Sequence, residues 1–394
     1  MIGPRVRRAV LALVCCLAAG PAAAGTIVIG QPAKVIDAKF TQAVTLLAQG
    51  RLEQADALLQ EVLKNDPSQA PALLARVQIA VSERRMADAS RTVASALTKN
   101  PDLSEAHAMK GVVLLLQRRP EEAAPALRRA VELKPGYATP RFYLAMIARS
   151  KGDFAAAATE YQALAQAAPS LPAGYLGQAE ALMMLRREPE AFRVLETWKA
   201  VPGSGPTPSY VIANIRMARG EPAEAIRELK AVIARSPGDA VVLTLLGDAY
   251  LAAGDESHAV ENFRAALKVD EGNPVANNNL AWVLAEQGKD LDEALRLAKA
   301  ACRRDPGYVD ALDTLGWIHF RRGEYAEASA TLSRASALAP DRLDIAAHLG
   351  LAYAKTGSTA RALKELRRAL AAPTPLPNRA ELQRVVAELS STSR

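Results

Sequence analysis

The sequence has few of the residues from which chemical sites are built. Its 394 residues include four histidines and three cysteines, and aromatic residues make up only 5% of the chain. No histidine has a second His or a Cys at metal-ligand spacing, no glycine-rich phosphate loop occurs, and no nucleophile has an evident base. We therefore predict no catalytic residue, no metal site and no cofactor, and we predict that the protein is not an enzyme.

The sequence also lacks an apolar run long enough to cross a membrane in its mature part. The run at the amino terminus extends from Ala9 to Ala19, follows three arginines and is followed by Ala22 to Ala24. A bilayer needs about 20 apolar residues, whereas a basic start, a shorter run and small residues are typical of a cleaved export signal. We predict a signal peptide at 1–24, a short segment at 25–35, and a periplasmic or secreted mature protein without a transmembrane helix.

Cysteine is scarce in a way that bears on stability. Cys15 and Cys16 lie inside the predicted signal, and neither is preceded by the Leu-small-small pattern of a lipoprotein, so lipid anchoring is the weaker alternative. Cys302 is then alone, and a mature chain with one cysteine forms no internal disulfide. Without the signal the formal charge falls from +7 to +4, so the mature protein is mildly basic.

What the sequence does contain is a repeat of 34 residues. Half of the residues are apolar, with abundant Ala and Leu that favour helices. Prolines end successive units at Pro67, Pro101, Pro135 and Pro169. Each of ten units also has an alanine at one fixed place: Ala55, Ala89, Ala123, Ala157, Ala191, Ala225, Ala259, Ala294, Ala328 and Ala362. Such a period predicts stacked units that cover each other's apolar faces.

Each unit reads as two short antiparallel helices. The unit from Val309 to Arg342 has apolar residues at helical spacing, interrupted at Gly323 and ended at Pro340. The first helix of a unit has Ala or Gly at a second fixed place, with Val77 as the exception, which suggests that the two helices approach closely there. Seven turns offer a glycine for a left-handed helix end, and three have Arg84, Arg118 and Arg186 instead.

These residues resemble the tetratricopeptide repeat, although several units replace the bulky residue that opens the pattern. The resemblance implies an all-α, right-handed superhelical solenoid of about ten helix-turn-helix repeats that binds proteins or peptides along a concave groove. We predict repeats 1–5 at 36–205, repeats 6–10 at 206–376, and a capping helix and tail at 377–394. Proline and glycine at 201–208 predict a bend between the two stacks, with a true hinge as the alternative.

In this family the first helices line the groove, so the lining can be read from the register. We predict that partners bind mainly on the carboxy-terminal half, because two tryptophans there occupy equivalent places among Asp and Asn. The predicted partner-binding residues are Asp248, Asn278, Trp282, Asp313, Trp317, Phe320, Asn214 and Tyr210. In the amino-terminal half we expect Leu74, Leu176 and Val44 to be interior packing.

Several functions fit such a groove. The leading hypothesis is an exported scaffold for protein–protein interactions in the cell envelope, in a secretion or exopolysaccharide export assembly. One alternative is a carbohydrate-binding protein that stacks sugars on Trp282 and Trp317, and another is a regulatory subunit of an envelope enzyme. Paired arginines at the turns form a basic edge that suits membrane headgroups or an acidic partner. We expect no nucleic-acid partner for an exported chain.

Overall fold

The computed structural model describes residues 38–66, 68–371 and 378–391, and every regular element in them is an α-helix. The prediction of an all-α repeat solenoid is confirmed. The predicted signal at 1–24 and the segment at 25–35 lie outside the described residues, as does Pro67.

The helices fall into ten pairs and a final single helix, and packing divides the chain into two compact units, one up to Ile212 and one from Ala213. The helices that begin in the amino-terminal unit are α1 Ala38–Ala48, α2 Leu52–Asn65, α3 Ala70–Ser82, α4 Met86–Lys99, α5 Ser104–Leu116, α6 Pro120–Leu133, α7 Ala138–Ser150, α8 Phe154–Ala167, α9 Pro172–Met184, α10 Glu188–Lys199 and α11 Thr207–Ala218. Those of the carboxy-terminal unit are α12 Pro222–Ile233, α13 Ala240–Ala252, α14 Glu256–Val269, α15 Pro274–Gln287, α16 Leu291–Arg304, α17 Val309–Arg321, α18 Tyr325–Leu338, α19 Leu343–Lys355, α20 Thr359–Leu370 and α21 Arg379–Ser391. The unit boundary lies within α11, and the predicted bend at 201–208 stays a prediction.

The ten repeated alanines are the centres of the pairs. All of them, from Ala55 to Ala362, have 0% of their surface exposed. The small residue of the first helix faces the side chain four places after the alanine. A Cβ built on Gly111 would lie 2.4 Å from Leu127, and one built on Gly247 would lie 2.4 Å from Phe263. Glycine therefore makes room for a large apolar side chain of the partner helix, because contacts this short do not occur between real atoms.

The turns inside the pairs share one backbone conformation. Glycine has a positive φ in seven of them, for example +75° at Gly152 and +80° at Gly323. Arg84, Arg118 and Arg186 adopt the same left-handed conformation, with φ of 59° to 60°. The repeat register thus fixes the turn even where an L-residue must bear the strain.

The final helix α21 packs on the last helix pair. Leu382 is fully buried, and Val385, Val386 and Leu389 pack against the same apolar cluster, which contains Leu366. An outer helix of this kind covers the apolar end of a repeat stack. No helix in the described part of the chain is long and apolar enough to cross a membrane.

Candidate ligand groove of the carboxy-terminal unit

Two first helices, α15 and α17, position most of the predicted site residues, and a third first helix, α19, packs on α17. Helix α17 contacts both of the others directly. Trp282 is on α15, and Asp313, Trp317 and Phe320 are on α17. We call the face that they share the groove face.

The structure places His348, on α19, at the centre of this face. Its ring lies 4.5 Å from the ring of Trp317, at an interplanar angle of 24°, and 6.0 Å from the ring of Trp282, at 37°. Its Nδ1 lies 2.9 Å from Oδ1 of Asp313. Burial disfavours the imidazolium, but the carboxylates of Asp313, Asp344 and Glu286 outweigh it and raise the pKa of His348. These carboxylates therefore stabilise the imidazolium form relative to that of a histidine in water.

Trp317 is held by its own neighbours. Its Nε1 donates a hydrogen bond to Oε1 of Glu286 at 2.7 Å, and its ring stacks on Phe320 at 5.0 Å with an angle of only 6°. Trp317 and Phe320 also pack against the buried cluster that includes Leu351 and Leu366. Both side chains therefore contribute to packing as well as to the groove face.

Trp282 has fewer constraints than Trp317. It is half-buried, and its ring contact is the tilted one with His348. Among the described residues no side chain accepts a hydrogen bond from its indole nitrogen. Part of its aromatic surface is accessible to a ligand, and aromatic surface of this kind anchors many interfaces.

A chain of polar side chains extends from Trp282 toward α13. Nδ2 of Asn278 donates to Oδ1 of Asn279 at 2.9 Å, and Nδ2 of Asn279 donates to Oδ1 of Asp248 at 2.6 Å. Burial raises the pKa of Asp248 to about 7, against the opposing effect of the Asn279 hydrogen bond. Oδ1 of Asn278 is buried and has no hydrogen-bond partner among the described residues, an arrangement that native proteins rarely keep without a reason.

Two predicted residues lie elsewhere. Tyr210 and Asn214 are half-buried on α11, the helix that contains the boundary between the two units. The contacts described above join Trp282, Asp313 and Trp317 through His348, and Phe320 through Trp317. They also join Asp248 to Asn278 through Asn279. For Tyr210 and Asn214 a role in binding stays a prediction.

Sequence reasoning missed His348, Asn279 and Glu286. No second His and no Cys stands near His348 in the sequence to mark it as part of a site. The signal that would have found it is the pairing of consecutive first helices at a separation of 31 residues, which joins Asn279 to Asp248 and Trp317 to Glu286. His348 follows Trp317 by the same interval.

In the amino-terminal unit, the expected interior packing is confirmed for two of three residues. Leu74 and Leu176 are 7% and 6% exposed. For Val44 the prediction is wrong, because 39% of its surface is exposed on the first described helix. Met146 is similarly exposed, at 37%. Among the described residues, no group of three or more His, Cys, Asp or Glu side chains is arranged to hold a metal ion.

Comparison with known families gives a consistent match. Three family models, each described as Tetratricopeptide repeat, match the sequence. The first matches residues 46–112, 216–261 and 287–347, the second 142–205 and 244–309, and the third 104–137. Together they cover well over half of the chain.

Individual relatives are more distant. The TPR repeat-containing protein PA4667 of Pseudomonas aeruginosa is 27% identical over 210 residues, which are 53% of this chain and 35% of that protein. The chain thus matches about a third of that relative's length.

The solved structures that match this chain are also distant in sequence. The Cut9-Hcn1 hetero-tetramer of the APC/C is 13% identical, with a TM-score of 0.49 over 90% of this chain and 77% of that chain. MamA 41-end from Desulfovibrio magneticus RS-1 is 22% identical, with a TM-score of 0.38 over 47% and 98% of the two chains.

Proposed function

Because the chain belongs to the tetratricopeptide repeat family, whose solenoids are typically non-catalytic interaction scaffolds, we propose that it is a scaffold that holds partner proteins in the cell envelope. The proposed site is the groove face of the carboxy-terminal unit, and the proposed setting is a secretion or exopolysaccharide export assembly. The protein acts by binding and carries out no reaction of its own.

The observation that supports this site is the combination of an accessible indole with buried polar groups. Trp282 offers aromatic surface, while Asp313 and Asp248 lie on the flanking helices. An extended peptide has N–H groups that suit such acceptors and side chains that suit the indole. Oδ1 of Asn278 would gain a partner if a ligand N–H displaced the side chains that cover it.

The matching experiment is capture of partners from an envelope extract with immobilised protein. Trp282→Ala should remove the captured protein, because a central aromatic anchor can contribute about 2 kcal/mol or more. Met146→Ala is the matched control, since it also truncates a half-exposed side chain on a first helix, but in the amino-terminal unit. Retention by the Trp282 variant and loss by the Met146 variant would move the site to the amino-terminal unit, to a strip formed by Phe142, Met146 and Tyr210.

Carbohydrate binding is the second candidate, because sugars stack on exposed aromatic faces and bond to Asn and Asp. The stacking of Phe320 and His348 on Trp317 limits the surface left to a sugar on that residue, so the stacking would fall on Trp282. Tryptophan fluorescence titrated separately with peptides and with oligosaccharides distinguishes the two. Quenching by sugars alone would replace the scaffold proposal with the carbohydrate one.

Export is the part of the proposal that rests on the sequence pattern of residues 1–24. Cell fractionation of the full chain should recover it in the periplasm or medium, and amino-terminal sequencing should start near Gly25. An intact Met1 in the cytoplasm would contradict export and would leave the groove proposal standing.

A further inference from the structure

Three turns of the amino-terminal unit keep an arginine where glycine serves elsewhere. Arg84, Arg118 and Arg186 occupy equivalent places in repeats 2, 3 and 5, each with φ near 60°. Repeat 4 has Gly152 at this place, and its φ is +75°. A long L-residue is strained in this conformation, and strain retained at three equivalent places points to a function for the side chain.

The charges at these turns are available for a partner. The next residue in each turn is also an arginine, and that one is paired: Arg85 with Asp88, Arg119 with Glu122 and Arg187 with Glu190. Arg84, Arg118 and Arg186 are exposed, and none of them has an ion pair or side-chain hydrogen bond within the described residues. The structural need for charge at the turn is therefore met by the second arginine alone.

Apolar side chains accompany two of the three. Leu116 precedes Arg118 by two residues and is 50% exposed, and Met184 precedes Arg186 by two residues and is 39% exposed. We call Arg84, Arg118, Arg186, Leu116 and Met184 the arginine edge. An anionic polymer would bind the arginines alone, whereas a lipid surface also accommodates the exposed side chains of Leu116 and Met184.

We propose that the arginine edge binds an anionic phospholipid surface and so attaches the amino-terminal unit to a membrane from outside the bilayer. The guanidinium groups contact phosphate oxygens, for which their fork of donors is suited. Leu116 and Met184 enter the boundary between headgroups and acyl chains. This attachment is separate from the groove face, which belongs to the other unit.

The test is sedimentation of the protein with vesicles of phosphatidylglycerol and phosphatidylcholine, compared with vesicles of phosphatidylcholine alone. The variant Arg84→Gly/Arg118→Gly/Arg186→Gly keeps the fold, because glycine is the residue of the equivalent turns. Each arginine near an anionic surface contributes to the free energy of binding, so the loss of three should weaken vesicle binding on the order of a hundredfold. Wild-type binding should also fall with added salt.

The control variant removes the same charge from the second helices instead: Arg91→Gln/Arg128→Gln/Arg193→Gln. These three side chains are exposed on α4, α6 and α10. The control variant should retain most of the wild-type binding to anionic vesicles. Absence of binding to anionic vesicles, full binding by the glycine variant, or equal loss in both variants would overturn the proposal.

A second variant distinguishes lipid from an acidic protein partner. Leu116→Ser/Met184→Ser should weaken vesicle binding while leaving all charges in place. If this variant binds vesicles like the wild type, and the wild type binds polyglutamate as tightly as vesicles, an acidic peptide replaces the lipid and the proposal is wrong. Partner capture through Trp282 is measured without vesicles, so the two proposals fail or stand separately.

Discussion

Trp282 and Trp317 occupy equivalent places in adjacent repeats, yet their surroundings give them different roles. Trp317 has its indole N–H bonded to Glu286 and its ring stacked on Phe320 and His348. Trp282 has only the tilted contact with His348 as a ring neighbour in the described structure. The difference arises because Trp317 meets Glu286 of the preceding repeat and Phe320 on its own helix.

Truncation should separate these roles. Trp317→Ala removes a stacked ring from the edge of a core cluster and should cost about 2 kcal/mol or more of unfolding free energy. Trp282→Ala should cost about 1 kcal/mol or less, because its surface is only partly buried. Urea unfolding followed by circular dichroism measures both. A larger loss for Trp282 than for Trp317 would show that their roles are reversed.

Asp248 predicts a pH dependence of stability. Its pKa in the folded protein is about 7, while that of an unfolded aspartate is about 3.9. Below about pH 4 the carboxyl is protonated in both the folded and the unfolded protein, so its burial carries no charge penalty. As the pH rises through 7 the folded protein must bury a charged carboxylate, and stability is lost. Asp248→Asn stays neutral and can still accept from Asn279.

The asparagine variant should therefore be more stable than the wild type at pH 8, by roughly 1–3 kcal/mol. The difference should vanish near pH 4. Unfolding midpoints at pH 4, 6 and 8 provide the measurement. A pH-independent difference between the two proteins would mean that folding does not raise the pKa of Asp248.

The register alone predicted which residues of the first helices lie near one another, because the spacing of the repeat places them at equivalent positions. It could not identify the contacts between them. His348 meets Trp317 and Asp313 only because α19 packs on α17, and this depends on side chains of two repeats at once. Asn279 and Glu286 were missed for the same reason.

At the scale of the helix pair, close approach depends on four glycines of the first helices. Gly111, Gly247, Gly316 and Gly350 each face a Leu or Phe side chain at a distance that excludes a Cβ. The sequence showed that a small residue was needed at this place. It did not show which side chain occupies the space, because the partner lies on the other helix.

Gly247→Ala tests this packing against a matched substitution nearby. The new Cβ would meet the ring of Phe263 at 2.4 Å, so overpacking should cost about 1–3 kcal/mol. A Cβ at Gly238 would meet no atom within 4 Å, and Gly238→Ala should be neutral or slightly stabilising. Thermal unfolding of both variants decides the matter. Equal midpoints would contradict the packing of this pair.

At the scale of the whole chain, the fold could be predicted because the same pattern of apolar and small residues recurs in ten repeats. Single departures, such as Val77 or the arginines at three turns, leave the spacing intact. The ligand could not be predicted in this way, since the repeat pattern fixes the scaffold and leaves the groove residues free to vary. The apolar end of the stack needs a cover of its own, which α21 provides at the carboxy-terminal end.

Deletion of residues 378–394 should expose the apolar end that α21 covers. Leu366 and its neighbours would then face solvent, and the protein should self-associate while keeping most of its helical content, because contacts in a solenoid are local. Light scattering and circular dichroism together measure both effects. A truncated protein that stays monodisperse and equally stable would show that α21 is dispensable as a cap.

The central claim is that the groove face around Trp282 holds the partner. The most direct measurement is the dissociation constant of the captured partner, determined by calorimetry for the wild type, Trp282→Ala and Met146→Ala. The loss of one central aromatic anchor predicts a weakening of about 30-fold for Trp282→Ala, with no more than a twofold change for Met146→Ala. An unchanged dissociation constant for Trp282→Ala, with its fold intact, would contradict the account.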